Sequence, residues 1–161
     1  MARTDEQLEA VKALLGEQNC LTLATAGADG EPWATPLFYF ADVLDEKLCL
    51  YWVSSESSSH SLNLERTPRV SATVYRHATS WREIRGVQMR GLASKVTDAK
   101  RRRAVIKAYC ERLELGTVFR LAIWKSALYE FQPEFFRFID NAKGFGSRFE
   151  LARGAEGWVG E

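Results

Sequence analysis

The chain has 161 residues, of which 46% are hydrophobic and 27% charged, and its net charge at pH 7 is +1. These values are typical of one globular domain over residues 1–161 and exclude a wholly disordered chain. The near-neutral charge argues against dedicated nucleic-acid binding, which needs a basic surplus. Aromatic residues make up 12% of the chain, a composition that favours strands, interfaces and flat ligands.

Cysteines and histidines are few and scattered. Cys20, Cys49 and Cys110 form no CxxC pair, which indicates three buried thiols in a reducing compartment, and two histidines predict no metal site. The longest charge-free stretches, residues 18–28 and 32–41, are well short of the ~20 residues that span a bilayer. We therefore expect a cytoplasmic protein with no membrane partner.

The first third of the chain predicts a helix followed by three strands. Thr4 and Gln7 make a capping box, so a leading helix is predicted over residues 5–15, within residues 1–18. Strands are predicted over residues 20–26, residues 33–40 with Pro36 interrupting, and residues 48–54, with turns at residues 28–30 and 45–47. The third strand is apolar on both faces, so a helix, another subunit or a ligand must cover its second face.

The remainder predicts more strands and one substantial helix. A short helix is predicted over residues 62–66, strands over residues 69–75 and 84–96, and a helix from Thr97-Asp98 to about residue 113. The last strands are predicted over residues 127–131, 135–140 and 145–151, followed by a flexible tail at residues 152–161. Six or seven strands without strand–helix alternation predict a mainly β fold, an antiparallel barrel with flanking helices.

Residues 54–61, Ser-Ser-Glu-Ser-Ser-Ser-His-Ser, are the strongest candidate binding site. A strand that runs into a serine-rich turn and a helix start offers hydroxyls and free N–H groups to an anion, and His60 can add positive charge. The alternative is a flexible surface loop, for which this composition is also common. The doubly apolar strand before the turn favours a ligand site, because a flat apolar ligand needs such a wall beside its phosphate cradle.

The sequence contains few other signals of chemistry. The run Lys100, Arg101, Arg102 and Arg103 is either a patch for an acidic partner or a solvated helix face, and the near-neutral chain favours the solvated face. No paired carboxylates, no GxSxG motif and no dinucleotide fingerprint at residues 144–146 are found. Any redox chemistry is therefore expected to come from a cofactor.

Several segments together resemble the FMN-binding split barrels, the family of pyridoxamine-phosphate-oxidase-like proteins. Residues 20–40 resemble the opening hairpin of that family, residues 48–75 its strand, phosphate turn and short helix, and residues 81–96 its next long strand. The ending at residues 135–151, FFRFIDNAKGFGSRFEL, resembles an uncharacterised branch of the family. The resemblance implies a six- or seven-stranded antiparallel split barrel that forms a homodimer, with flavin mononucleotide (FMN) at the subunit interface.

The resemblance also implies positions for the cofactor-binding residues. It places Ser54, Ser55, Ser58, Ser59 and His60 at the phosphate, the backbone of Ala34, Thr35, Pro36 and Leu37 against the flavin ring, and Gln88 nearby. The turn that contains Asn141, Lys143 and Phe145 would close the site, as a contribution of the partner chain. Oxidase members carry Arg and Lys at the positions of Ser59 and His60, so Arg69, Arg85 or Arg90 would have to supply the missing charge.

These implications predict an FMN-dependent oxidoreductase that acts on a small-molecule substrate, with no side chain assigned to catalysis. The alternative is a non-catalytic protein that binds flavin, haem or a deazaflavin for storage or sensing.

Overall fold

The structure, a computed structural model, describes residues 2–42, 48–112 and 116–160. In this part of the chain the helices are α1 (Ala2–Glu17), α2 (Ser59–Arg66), α3 (Ala99–Arg112) and α4 (Thr117–Lys125), with short 3₁₀ helices at Trp81–Glu83 and Asn141–Lys143. The strands are β1 (Cys20–Ala26), β2 (Pro32–Phe38), β3 (Phe40–Asp42), β4 (Cys49–Ser54), β5 (Arg69–Tyr75), β6 (Arg85–Lys95), β7 (Ala127–Asp140), β8 (Arg148–Gly154) and β9 (Gly157–Gly160).

These nine strands of the described residues form one antiparallel sheet, in the order β2-β1-β5-β6-β7-β4-β3, with β8 and β9 branching from β7. The two end strands, β2 and β3, are joined by Tyr39 alone, so the sheet must curl until its ends meet. Tyr39 is buried, and its hydroxyl donates to the Leu15 carbonyl at 2.8 Å. The predicted mainly β, antiparallel split-barrel fold is confirmed, with more strands than predicted because the chain bends at Tyr39 and pairs again after Gly154.

The inner face of the curled sheet carries the main core. Side chains alternate along each strand, so every second residue points inward. The buried inner set includes Leu21 and Leu23 of β1, Val70, Ala72 and Val74 of β5, Val87 and Met89 of β6, Trp52 of β4, and Phe136 and Phe138 of β7. Val11, Leu14 and Leu15 of α1 belong to the same core, which positions the leading helix against the sheet.

The second face of β4 is covered by helices of the same chain. Cys49 and Tyr51 of β4 pack with Ile106 and Tyr109 of α3 and Ile123 of α4. The sequence left open whether a helix, another subunit or a ligand covers this face, and in the structure helices cover it. Helix α4 was not predicted for two reasons. Its N-cap, Gly116, has no side chain that could cap the helix, and aromatic and β-branched residues have a low helix propensity.

One ion pair and three hydrogen bonds hold α3 and α4 to the sheet and to each other. Arg101 of α3 donates to the Tyr51 hydroxyl at 3.0 Å and lies 2.6 Å from the Glu130 carboxylate. Arg102 donates to the carbonyls of Trp124 and Ser126, both at 2.8 Å, where α4 ends. Half of the predicted basic run is therefore structural, and its remaining members, Lys100 and Arg103, are exposed.

The chain end differs from the predicted flexible tail. Strand β9 pairs with β8 over four residues, and the Trp158 ring lies 4.5 Å from the Phe136 ring between centroids. The ring contact attaches this hairpin to the core, which the Gly-rich composition did not indicate. The turn predicted at residues 45–47 lies outside the described residues. Of the three thiols predicted to be buried, Cys49 and Cys110 are buried, but Cys20 is exposed at the start of β1.

Strand β7 is continuous through Pro133, where the sequence predicted a break. The register between β6 and β7 shifts between Arg90 and Gly91, so Gly91 faces Pro133 while Arg90 faces Phe135. This bulge accommodates the proline, which lacks a ladder N–H. It depends on the glycine, because a Cβ at Gly91 would lie 2.1 Å from the Gln132 carbonyl oxygen.

Gly91→Ala is therefore expected to lower the free energy of unfolding by about 3 kcal/mol, since the obstructing atom is backbone and cannot move aside. Urea denaturation followed by circular dichroism measures the change. Gly16→Ala is the matched control, because a Cβ at this position of α1 meets nothing within 4 Å, and alanine stabilises a helix relative to glycine. Equal stability of Gly91→Ala and wild type would contradict the bulge geometry.

Candidate functional site

A broad groove lies on the outer face of β1, β5, β6 and β7. It consists of two adjoining cavities of about 460 and 640 Å³ that share Ala24, Ser71, Arg90 and Phe135. We call it the outer-face groove. Its other lining residues include Thr22, Thr73, Gln88 and Arg137 at one end and Ala26, Arg69 and Glu134 at the other.

The cross-strand register aligns the lining residues in two rows. Residues directly opposite each other in antiparallel strands share a face of the sheet. The first row is Pro36, Thr22, Thr73, Gln88 and Arg137, and the second is Ala34, Ala24, Ser71, Arg90 and Phe135. Small side chains in the middle of both rows leave a flat floor, flanked by guanidinium groups.

Three arginines surround this floor, and they differ in their partners. Arg69 forms an ion pair with Glu134 at 3.0 Å, and Arg137 forms one with Glu150 at 2.5 Å. The Arg90 guanidinium lies 4.1 Å from the centroid of the Phe135 ring, and among the described residues no carboxylate pairs with it. Arg90 is therefore the groove cation that is best able to meet an anionic group of a ligand.

The second candidate element is the serine turn, residues 54–61, between β4 and α2. His60 Nε2 lies 2.8 Å from Ser54 Oγ and 3.1 Å from Ser58 Oγ. Ser58 Oγ is in turn 2.8 Å from both the Ser55 carbonyl oxygen and Ser61 Oγ. The side chains of the turn therefore form a hydrogen-bonded cluster.

Helix α2 starts within this cluster. Ser58 is its N-cap, yet the Ser58 side chain makes no capping hydrogen bond to the helix. The first N–H groups of a helix have no intrahelical acceptor, so those after Ser58 point outward from the helix start. Asn63 of α2 donates to Thr25 Oγ1 of β1 at 3.0 Å, which ties the helix to the end of the sheet.

His60 is the buried titratable group of the turn. It is 7% exposed, and burial lowers the pKa of its imidazole below the usual 6.5. Burial therefore favours the neutral ring over the imidazolium in the free protein, which opposes the positive charge predicted for this side chain. The carboxylate of the turn, Glu56, forms an ion pair with Lys95 at 2.7 Å, so this lysine is already paired.

The turn and the groove lie at the same end of the sheet. Ser54 at the end of β4 faces Ala127 at the start of β7, and Lys95 at the end of β6 faces Tyr129 two residues further on. Arg69 begins β5 at this end, opposite Leu92 of β6. One end of the outer-face groove therefore lies at the same end of the sheet as the serine turn.

The residues predicted to face a flavin ring divide between the two faces of β2. Ala34 and Pro36 are exposed and stand in the two groove rows, opposite Ala24 and Thr22. Leu37 is buried on the inner face, and Thr35 Oγ1 is buried without a hydrogen-bond partner in the described structure. Gln88, which the resemblance places near the flavin, lines the groove.

The remaining predicted residues lie elsewhere. Asn141 is buried and structural: its side chain donates to the Trp81 carbonyl at 2.7 Å and accepts from the Gly146 N–H at 3.1 Å. Lys143 lines a separate groove beside α1. Arg85 is 3.8 Å from Asp140 at the opposite end of β6, so it does not supply charge to the groove.

Sequence reasoning missed part of the groove, notably Thr22, Ser71, Thr73, Phe135 and Arg137. For Ser71 and Thr73 the signal was their alternation, as polar positions, with Val70, Ala72 and Val74 of β5. This alternation shows which residues point outward, but not which residues of different strands stand in one row.

The family comparisons agree with this fold. The profile of the family described as pyridoxamine 5'-phosphate oxidase matches residues 8–137. The UPF0306 protein YhbP of Escherichia coli O157:H7 is 29% identical over 154 residues, covering 93% of this chain and 96% of that protein.

Solved structures show the same fold. The conserved hypothetical protein Rv2991 of Mycobacterium tuberculosis superposes with a TM-score of 0.72 at 22% identity, covering 84% of this chain and 85% of that one. HutZ, a haem storage protein of Vibrio cholerae, superposes with a TM-score of 0.64 at 22% identity, covering 81% and 90%. Among the described residues, no helix is long and apolar enough to cross a bilayer, and no cluster of His, Cys, Asp and Glu is arranged to hold a metal.

The burial of His60 predicts a particular titration. Its pKa is lower in the folded than in the unfolded chain, so the unfolded state binds the proton first as the pH falls below 6.5. The free energy of unfolding should therefore decrease over this interval, and His60→Gln should remove that part of the decrease. NMR titration of the two imidazoles measures the midpoint, with His77→Gln as the assignment control. A His60 midpoint above 6.5 would contradict the neutral cluster.

Proposed function

This chain belongs to the pyridoxamine 5'-phosphate oxidase family, and we propose that it binds FMN in the outer-face groove between two copies of the chain. We further propose that it uses this cofactor as an oxidoreductase acting on a small molecule. The observation that carries the proposal is the groove itself: a flat floor of small side chains, flanked by Arg90, that the helices of the same chain leave uncovered.

The floor of the groove suits a planar ring system. Ala24, Ser71, Thr22 and Thr73 have short side chains, so a flat ring can approach the sheet closely. The exposed amide of Gln88 offers both a donor and an acceptor to the polar edge of such a ring. These properties match the shape and the hydrogen-bonding edge of an isoalloxazine.

The serine turn suits the phosphate of the cofactor. Its hydroxyls and the first N–H groups of α2 are phosphate donors, and they lie at the end of the sheet toward which the groove extends. The fixed charge of the Arg and Lys of oxidase members is absent, so we propose that His60 takes up a proton when a phosphate dianion binds. Arg90 on the groove wall supplies the permanent positive charge.

When bound, FMN supplies hydride transfer, a chemistry that the side chains of the groove do not themselves possess. The residues of this chain bind and orient the cofactor: Gln88 would contact the ring edge, and the phosphate would be held by Arg90, Ser54, Ser58 and His60. The groove is open to solvent on its outer side, so a second copy is needed to exclude water from the ring.

A homodimer through the outer face supplies this cover. Tyr75, 62% exposed, and Phe38 and Leu92, each more than a third exposed, stand on the face that contains the groove. A two-fold axis across the strands brings opposite ends of the two sheets together. Phe145, 84% exposed and edge-on to Trp81 at 5.4 Å, then reaches the serine-turn end of the other copy.

Haem binding is the main competing function, because HutZ, which has the same fold, is a haem storage protein. A haem iron needs an axial ligand such as His, Cys or Tyr. The described residues that line the outer-face groove include none of these three types, and Met89, of a fourth ligand type, is buried in the main core at 1% exposure. The groove therefore favours a flavin, and haemin serves as the competitor in the binding test.

Titration of the purified protein with FMN, followed by flavin fluorescence and the visible spectrum, tests the cofactor. We expect saturable binding that Arg90→Ala weakens at least ~10-fold, because a charge-assisted hydrogen bond contributes about 1.5–3 kcal/mol. Ser58→Ala/His60→Ala should weaken binding similarly. Arg103→Ala and His77→Ala, which change the same residue types away from the groove, should leave the affinity unchanged.

Each failure has a distinct meaning in this titration. Absence of FMN binding, with haemin bound in a defined ratio, would overturn the flavin proposal in favour of haem. FMN binding that Arg90→Ala and Ser58→Ala/His60→Ala leave unaltered would show that the cofactor lies elsewhere.

The dimer is tested independently by sedimentation. Tyr75→Glu places a charge in the proposed interface and should convert a dimer to a monomer at micromolar concentration. Leu121→Glu is the matched control, because Leu121 is equally exposed, at 62%, on α4 outside that face, and it should remain dimeric. A monomeric wild type, or a dimer that Tyr75→Glu does not affect, would contradict this interface.

A further inference from the structure

Helices α3 and α4 carry a charge that the rest of the chain does not share. Together they contain eight Lys and Arg and one Glu, a net charge of +7, whereas the whole chain has +1. The remaining residues therefore carry a net charge of −6. The near-neutral composition thus conceals one strongly basic surface, which is separate from the outer-face groove.

Part of this charge is used inside the protein. Arg101 pairs with Glu130, Arg102 holds the end of α4, and Arg112 donates to the Gly16 carbonyl at 2.5 Å. The other cations are exposed: Lys100 and Arg103 of α3, Lys107, which pairs with Glu111 of the same helix at 3.9 Å, and Arg120 and Lys125 of α4. The spacing of Lys100, Arg103 and Lys107, i, i+3 and i+7, places these three cations on one face of α3.

Two large apolar side chains lie among these cations. Leu121 is 62% exposed and Trp124 is 41% exposed, and both are flanked in the helix by Arg120 and Lys125. Ile123 is buried, so it points to the opposite side of α4. The Arg102 guanidinium lies 5.9 Å from the Trp124 ring, which brings the start of α3 beside the end of α4.

We propose that this α3–α4 surface, formed by Lys100, Arg103, Arg120, Leu121, Trp124 and Lys125, docks on the surface of an anionic lipid bilayer. Basic side chains attract anionic headgroups, while Trp and Leu enter the boundary between headgroups and acyl chains. The net charge of −6 on the remaining residues is repelled by the same surface and orients the protein. This peripheral docking replaces the expectation from sequence that the chain has no membrane partner.

The apolar pair selects a bilayer over a nucleic acid. The phosphates of a nucleic acid bind Lys and Arg, and its bases can stack on Trp124. Neither the phosphates nor the bases remove an exposed leucine from water. A bilayer interface removes Leu121 from water at the same time as it neutralises Arg120 and Lys125. Leu121 is therefore the residue that distinguishes the two kinds of polyanion.

Flotation of the full chain with vesicles tests the proposal. We expect binding to phosphatidylcholine vesicles that contain phosphatidylserine, no binding to phosphatidylcholine alone, and loss of binding in high salt. Lys100→Glu/Arg103→Glu should lower the partition coefficient at least ~30-fold, since each basic residue near the surface contributes about 1 kcal/mol. Arg3→Glu/Arg148→Glu changes the net charge equally, away from α3 and α4, and should stay within about twofold of wild type.

Leu121→Ser should lower the partition coefficient about tenfold, and Leu121→Met should retain it, because methionine keeps the buried apolar surface. Circular dichroism checks folding, and Lys100→Gln/Arg103→Gln replaces the charge-reversed variant if that variant is unfolded. Equal binding to neutral vesicles, or no effect of the charge changes, would overturn the proposal. Salt-sensitive binding to duplex DNA that Leu121→Ser leaves intact, without vesicle binding, would assign the surface to nucleic acid instead.

Discussion

Strand residues alternate between the two faces of a sheet, so each face of this sheet needs its own cover. The inner face of the sheet is filled by the core and by α1. Helices α3 and α4 cover the other face only at β4 and the start of β7. The outer face of β1, β5 and β6 therefore remains uncovered within the described chain, and it carries the groove, the unpaired Arg90 and the exposed Tyr75.

The serine turn depends on the same architecture. Strand β4 delivers Ser54 to the end of the barrel, and Asn63 anchors α2 on β1, so the intervening residues are held as one cluster. Burial keeps His60 neutral there, which removes the cost of a buried unpaired cation in the free protein. In the proposed binding of FMN, the affinity for the phosphate would therefore be coupled to protonation of His60, unlike at a site built on Arg and Lys.

Patterns within single segments predicted the features that depend on neighbouring residues alone, namely strand bounds and helix caps. The bounds of β1 and β5 and the capping Asp98 of α3 followed from alternation and cap chemistry, and Asp98 accepts from the Arg101 N–H at 2.6 Å. Long-range packing determined the rest. The bulge at Gly91 kept β7 intact through Pro133, and Trp158 ordered the chain end. The groove rows depend on cross-strand register, which no single segment encodes, so Arg137 and Thr73 were missed while Gln88 followed from the resemblance.

Intermolecular NOEs measure the position of a bound flavin directly. With FMN added to protein labelled at its Thr and Ala methyl groups, we expect contacts from the ring protons to Thr22, Thr73 and Ala24 of the outer-face groove. Ala10, which lines the separate groove beside α1, should show none. Contacts to Ala10, with none to Thr22 or Thr73, would show that FMN does not bind in the outer-face groove.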